Sequence, residues 1–357
     1  MRRWCVSGLL AILFLGIATH VQAQTARLVW DPVPDSAVAG YVVMYGRESG
    51  RYTTTVDVGA VSEWPLPDSL HPAYTHFFVV LAYTEDGLRS LPSDEVYLPP
   101  AAPTILGPSY NIFFQHADTN ELAIWNMSGN RQVGGGSLGP GSVPAGWHMA
   151  GSADFNRDGR SDLAWQHDDG TLAVWFMDGG RMLSGELVTP ALIGDLDWRI
   201  VAVADMNRDG WPDFVWRHRT QGLLSVWTMR GTHMLEGHLL TPDKVPDLNW
   251  TVVGAGDFNL DGHSDLVWHN RADGRLSVWI MQGSTLIDGR AMTPDAVADT
   301  GWQIRGVRDI NGDRWPDLLW QHTNGSLSVW LMTGSTMRSG GALMPLKVTG
   351  WQMLAVR

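Results

Sequence analysis

The sequence predicts an all-β chain of two parts. A small sandwich is followed by a ring of five four-stranded sheets, a five-bladed β-propeller. Three observations carry this. The loop Asp154-Phe-Asn-Arg-Asp-Gly-Arg-Ser-Asp162 recurs at 205–213, 257–265 and 309–317, every 51 or 52 residues. A strand ending in Trp-x-Met recurs five times, at Trp125, Trp175, Trp227, Trp279 and Trp330. The repeat region opens in the middle of a unit and closes on the piece that its opening lacks. A period near fifty residues marks a repeat architecture. Forty glycines and nineteen prolines suit short strands joined by turns.

Residues 1–23 read as a secretory signal peptide: Met-Arg-Arg, an apolar run from Trp4 to Ala18, and Val21-Gln-Ala23 before the expected cleavage. The apolar run is short for a membrane span, and no later segment is long enough, so no membrane span is expected in the mature chain. The single cysteine, Cys5, lies inside the signal. An exported chain without disulfides must be held by core burial or by metals. The formal net charge is −12, with Arg2 and Arg3 the only charges in the signal. An acidic surface repels phosphate backbones, which excludes nucleic acid as the expected partner.

Residues 24–98 read as a small β domain. Leu28-Val-Trp30, Tyr41-Val-Val-Met-Tyr45 and His76 to Tyr83 are strands, separated by Pro, Gly and Asp turns. Trp30-Asp-Pro32, Ala39 to Gly46, Phe78 to Tyr83 and Ser90 to Val96 resemble a bacterial fibronectin type III domain. That family's corner tyrosine falls here on His76, so the corner hydrogen bond is not expected in its usual form. Residues 99–110 are rich in proline and read as a stiff linker.

From 111 to 357 each unit has a tryptophan-led strand, an acidic loop, a second strand, a third strand and a more variable fourth. The leading tryptophans are Trp147, Trp198, Trp250, Trp302 and Trp351. In Leu276-Ser-Val-Trp-Ile-Met281 both faces carry bulky apolar groups, so the third strand is expected to be buried on both sides, as in stacked blades. The small residue after its leucine is expected to let the facing sheet approach. The region begins with a second strand at Ile112 and ends with a first strand at Trp351. A ring closed by the C-terminal strand accounts for both ends and hides sheet edges.

The loop carries the chemistry. Asp154, Asn156, Asp158 and Asp162 stand at positions one, three, five and nine, and Arg160 at position seven can add its carbonyl. The other copies supply Asp205, Asn207, Asp209, Trp211 and Asp213; Asp257, Asn259, Asp261, His263 and Asp265; and Asp309, Asn311, Asp313, Trp315 and Asp317. Oxygen-only ligation at this spacing favours Ca²⁺, at about four sites. An EF-hand is excluded, because position twelve is a tryptophan within a strand. The alternative is a set of Asx-turns that need no metal. In the fourth copy Gly312 stands at position four and Arg314 at position six. The Asp309 site is therefore expected to be the weakest.

These loops with β flanks resemble the FG-GAP and VCBS-type repeats of bacterial secreted proteins, and are similar in kind to integrin head propellers and certain fungal propeller lectins. The resemblance implies Ca²⁺ sites that rivet strand connections and a secreted, periplasmic or cell-surface protein of adhesion or ligand binding. Its partner is then an extracellular glycan or protein, and the chain a monomer. One rival is a structural spacer that contacts protein. Another is a glycosidase- or lyase-type enzyme with its site in the propeller centre. No catalytic motif is found, and the chain is read as not an enzyme. His116, His167, His218 and His322, with Asn270 in the fifth place, could line a ring and bind metal or ligand, but are expected to satisfy backbone groups at strand ends. Trp211 and Trp315 are read as exposed and able to stack on a sugar or, equally, to cover the adjacent blade. Glu186 and Glu236 are candidates for a carboxylate pair, with surface solvation as their simpler role.

Overall fold

The structure, a computed structural model, describes residues 11–14, 27–67, 70, 76–98 and 107–356. The remainder of the expected signal, Cys5 included, and residues 99–106 of the expected linker lie outside the described residues. The regular elements among the described residues are all strands. The chain divides into two compact units, residues 1–102 and 103–357.

The first unit contains β1 (Ala11–Phe14), β2 (Arg27–Trp30), β3 (Val38–Gly46), β4 (Thr54–Gly59), β5 (Glu63–Pro65), β6 (His76–Thr84) and β7 (Val96–Leu98). They form two sheets, β1-β2-β5 and β4-β3-β6-β7. β1 lies within the expected signal and pairs antiparallel with β2. In β3 and β6 alternate residues face one side, and the register sets Tyr41 opposite Ala82 and Val43 opposite Val80. Leu28 and Trp30 of the other sheet pack onto that face. The Tyr41 hydroxyl accepts the Val33 N–H at 2.9 Å, which satisfies a buried phenol.

Among the described residues the second unit runs through twenty strands. They are β8 (Ser109–His116), β9 (Glu121–Ser128) and β10 (Arg131–Ser142); β11 (Trp147–Ala153), β12 (Asp162–His167), β13 (Thr171–Asp178) and β14 (Arg181–Leu192); β15 (Trp198–Ala204), β16 (Asp213–His218), β17 (Leu223–Arg230) and β18 (His233–Lys244); β19 (Trp250–Gly256), β20 (Asp265–Asn270), β21 (Arg275–Gln282) and β22 (Thr285–Ala296); β23 (Trp302–Arg308), β24 (Asp317–His322), β25 (Ser326–Thr333) and β26 (Thr336–Lys347); and β27 (Trp351–Val356). Each group of four is an antiparallel meander, and β27 pairs with β8, setting Trp351 opposite His116 and Met353 opposite Phe114. Hydrogen-bonded pairing therefore runs round the whole unit and returns to its start. β8 begins at Ser109, three residues before the Ile112 start read from the sequence. Tyr110 shares a face with Ile112 and Phe114, is buried, and donates its hydroxyl to the Gly129 carbonyl at 2.8 Å.

The opening strands β11, β15, β19, β23 and β27 neighbour one another in a cycle, so they are innermost. The fourth strands are outermost, and backbone hydrogen bonds link each to the next sheet. The donors are the N–H groups of Gly139, Thr189, Thr241, Thr293 and Met344, at 2.8–2.9 Å from the carbonyls of Gly180, Thr232, Ser284, Ser335 and Asn130. Each donor precedes a proline and follows a buried apolar residue: Leu138, Val188, Leu240, Met292 or Leu343. This apolar-x-Pro repeat in the strand read as variable was missed, although it was visible at the same period.

Cores lie between adjacent sheets. Ile112, Phe114 and Met127 pack with Leu319, Leu327 and Val329, while Phe113, Leu122 and Ile124 pack with Leu163, Trp165 and Ala173. One sheet thus buries both faces. The second-strand tryptophans Trp165, Trp216, Trp268 and Trp320 are each 1% exposed. Each stands directly opposite the small residue of the third strand, Ala173, Ser225, Ser277 or Ser328. The small side chain therefore makes room for an indole within its own sheet, which corrects the expectation that it serves the facing sheet.

Candidate metal centres and the opposite rim

Each acidic loop joins the end of an opening strand to the start of a second strand. In the first loop Asp154 accepts the N–H groups of Asp158 and Gly159 at 3.0 and 2.8 Å. The Asn156 carbonyl oxygen accepts the Asp158 N–H at 3.0 Å, and Asp158 accepts the Arg160 N–H at 2.8 Å. These are Asx-turns in series, and they gather positions one, three and five. The same bonds recur around Asp205, Asp257 and Asp309.

Position nine does something the sequence did not show. Asp162, Asp213, Asp265 and Asp317 are fully buried. One oxygen of each accepts the N–H of position two, Phe155, Met206, Phe258 or Ile310, at 2.8–2.9 Å. The other accepts a third-strand N–H, from Met177, Met229, Met281 or Met332, at 2.8–2.9 Å. One carboxylate therefore ties the loop to two strands. Burial pushes these carboxyls up, to about 6 for Asp162, Asp213 and Asp265 and about 7 for Asp317, against the two backbone bonds; the carboxylates at positions one and five push the same way. A cation among them would reverse that penalty. The donor set, carboxylates and an amide oxygen, fits a hard cation.

The position-seven side chains are engaged elsewhere. Arg160 pairs with Asp178 at 2.9 Å, and His263 lies 3.4 Å from Arg208. Trp211 and Trp315 are half-buried rather than exposed. Trp211 packs beneath the Arg157 guanidinium at 5.2 Å, and both indoles lie against the glycine turns at Gly231 and Gly334. Covering the neighbouring sheet leaves little of either ring for a sugar.

The fourth loop also departs from expectation. Positions four and six are both left-handed in every copy: Arg157, Arg208 and Leu260 precede Gly159, Gly210 and Gly262, whereas Gly312 precedes Arg314. Each loop thus holds one glycine and one side chain in that region. The cost at Arg314 is exchanged for relief at Gly312, and the reason for a weakest site at Asp309 disappears.

At the opposite rim the strand-end histidines cap turns. The Nδ1 of His116, His167, His218 and His322 accepts a backbone N–H at 3.0–3.3 Å, and Asn270 does the same through Oδ1. His218 and His322 reach Asp195 and Asp299 at 3.1 Å through Nε2. Asp195, Asp197 and His218 lie close enough to share an ion. Asp197 is already bound by Arg219 and Thr220, at 3.2 and 3.0 Å. Glu186 and Glu236 are exposed on the outermost strands β14 and β18, away from the centre where a catalytic pair was considered.

Residues 154–216 match the family described as FG-GAP-like repeat. Integrin alpha-7 of Homo sapiens is 31% identical over 159 residues, which cover 39% of this chain and 13% of that protein. The Mus musculus protein of the same name is 29% identical over the same share. The chain therefore spans only a small part of these relatives. Among solved structures, an auxiliary nutrient binding protein from Bacteroides thetaiotaomicron aligns over 96% of this chain and 89% of its own, at 9% identity and a TM-score of 0.39. The periplasmic gluconolactonase of Pseudomonas aeruginosa aligns over 90% and 100%, at 14% identity and a TM-score of 0.35. Sequence match and strand order together describe a β-propeller repeat protein that carries an FG-GAP-like repeat.

Proposed function

We propose that the chain is an exported binding or adhesion protein in which a fibronectin type III-like module precedes a five-bladed propeller stapled by four Ca²⁺ ions. The ligand class is an extracellular glycan. The observation that carries this reading is the fourfold recurrence of one loop with one hydrogen-bond scheme, each copy setting the carboxylates of positions one and five near enough to act on the buried one at position nine. Carboxylates brought together at a strand junction repel unless a cation joins them. The ions would be held by the side chains at positions one, three, five and nine and the carbonyl of position seven. They would supply stability rather than chemistry, since each loop repeats the others. The divergent residues of the opposite rim suit ligand recognition.

Ions that bind only the folded state raise its melting temperature. The metal-free protein is expected to melt several degrees below the protein in millimolar Ca²⁺. Coincident melting curves would overturn the metal assignment. A glycan array on the calcium-loaded protein then tests the ligand class, and an array without hits would favour the rival reading of a protein-contacting spacer. Exposed Leu183, Leu187, Leu235 and Leu239 on the outer strands support that rival.

A further inference from the structure

One innermost position breaks the repeat. Each opening strand has a bulge at its fourth residue, which is left without a partner on the adjacent strand: Ala150, Val201, Val253, Arg305 and Leu354. Four are apolar. The fifth, Arg305, is a half-buried cation. Its Nε is closed off from solvent and has no acceptor. Nη2 donates to Gln303 Oε1 at 2.5 Å. With the Gln352 amide turned to satisfy its neighbours, the Gln352 oxygen accepts from Nη1 and Nη2 at 3.0 and 3.2 Å. The charge that Arg305 senses is another cation, Arg271, and both burial and Arg271 push the guanidinium pKa down.

Arg305 lines a cleft of about 310 Å³ together with Gln321, Thr323, Asn324, Trp351 and Gln352, and no carboxylate lines it. Burying a charge among neutral amides costs free energy unless an opposite charge joins it. Packing does not require that cost, because valine or leucine fills the same bulge in sister strands. Where a repeat breaks its own rule without local gain, function is the expected reason.

We propose that this cleft is an anion site that takes the carboxylate of an acidic sugar. The Arg305 guanidinium binds the carboxylate, a pairing for which its planar fork is suited. The Gln352, Thr323 and Asn324 side chains can bond ring hydroxyls, while the Gln321 amide is held by the backbone of the next opening strand; Trp351 offers an apolar wall. The cleft volume is at the small end of ligand sites, which suits one sugar residue. The sugar assignment rests on the glycan-binding reading above; the anion site needs only Arg305 and its surroundings.

The test is calorimetric titration of the calcium-loaded protein with D-glucuronate at constant ionic strength, beside D-glucose and N-acetyl-dialanine with a free carboxylate. Saturable glucuronate binding without glucose binding is expected. Arg305→Val should weaken it at least tenfold and leave the melting temperature unchanged or raised, because Val201 and Val253 already occupy that bulge. Arg157→Ala, at the other end of the sheets, should leave binding intact. Absent glucuronate binding, or equal binding by Arg305→Val, overturns the site. Tighter binding of the dipeptide overturns the sugar assignment. Absent glucuronate binding together with array binding of neutral glycans that survives Arg305→Val overturns the site yet leaves the broader glycan-binding reading standing.

Discussion

The two ends of the sheets in the second unit follow opposite rules. At the loop end four junctions repeat one bonding scheme, down to the position-nine carboxylate and its two backbone donors. At the other end the residue after the leading tryptophan is His148, Arg199, Thr251, Gln303 or Gln352. Even there some variation is structural. Gln166 and Gln321 each bridge to the next opening strand, donating to Trp198 and Trp351 carbonyls at 2.8 and 2.7 Å. Arg217 instead lies over Trp268, and His269 sets its ring edge against Trp320. The contrast teaches where a repeat protein is free to differ. A group that satisfies two strands of its own sheet cannot change without orphaning buried donors. A group at the rim can change whenever another side chain covers the same indole.

The largest expected effect breaks the loop end. Asp265→Ala removes the acceptor of two buried N–H groups, those of Phe258 and Met281. At ~1–3 kcal/mol for each unsatisfied group, the loss is about 4 kcal/mol. It should appear in urea unfolding with and without calcium, since the carboxylate serves the backbone before it serves an ion. A loss below about 1 kcal/mol in metal-free protein would mean that the loop is held by metal alone.

A smaller effect sharpens the same contrast through pH. Without metal, the position-nine carboxyls have folded values of about 6 to about 7, above the ordinary 3.8. A raised acid binds its proton in the folded state. Its contribution to stability is then complete below the unfolded value and is lost as pH rises through 6 to 7. A bound cation needs ionised ligands, so it depresses those values and stabilises only above them. The gain in melting temperature on adding calcium should therefore be near zero at pH 4 and grow up to pH 7. A gain independent of pH would remove these carboxylates from the site.

Much of this was written in the sequence. The strands, the period and the complementary ends showed because tryptophans and alternating apolar residues mark them. The oxygen-rich loop showed because its spacing is local. What did not show was carried by groups without letters. The partner of Asp265 is a backbone N–H sixteen residues away, and any residue could have stood there. The proline that follows each linking N–H was visible but sat in strands that otherwise vary. Tyr110 reads as linker because it follows Pro108, although its phenol is buried. Arg305 carries no sequence signal for the opposite reason: the period is written in residues that repeat, and Arg305 does not.

The smallest expected effect concerns the loop that looked defective. Asp257→Ala and Asp309→Ala each remove position one, which gathers position five and the residue after it. If the left-handed cost at Arg314 were added to the fourth loop, its ion would bind less tightly and its loss would matter less. The backbone instead moves the glycine from position six to position four, and Asp309 gains a further N–H from Gly312 at 2.7 Å. The two variants should therefore lose calcium-dependent stability equally, within about 0.5 kcal/mol, a fraction of the ~1 kcal/mol that one left-handed side chain costs. Paired melting curves at matched calcium read this directly. A clearly milder Asp309→Ala would show that the exchange of glycine and arginine is not neutral, and that the fourth junction is held by its strands more than by its ion.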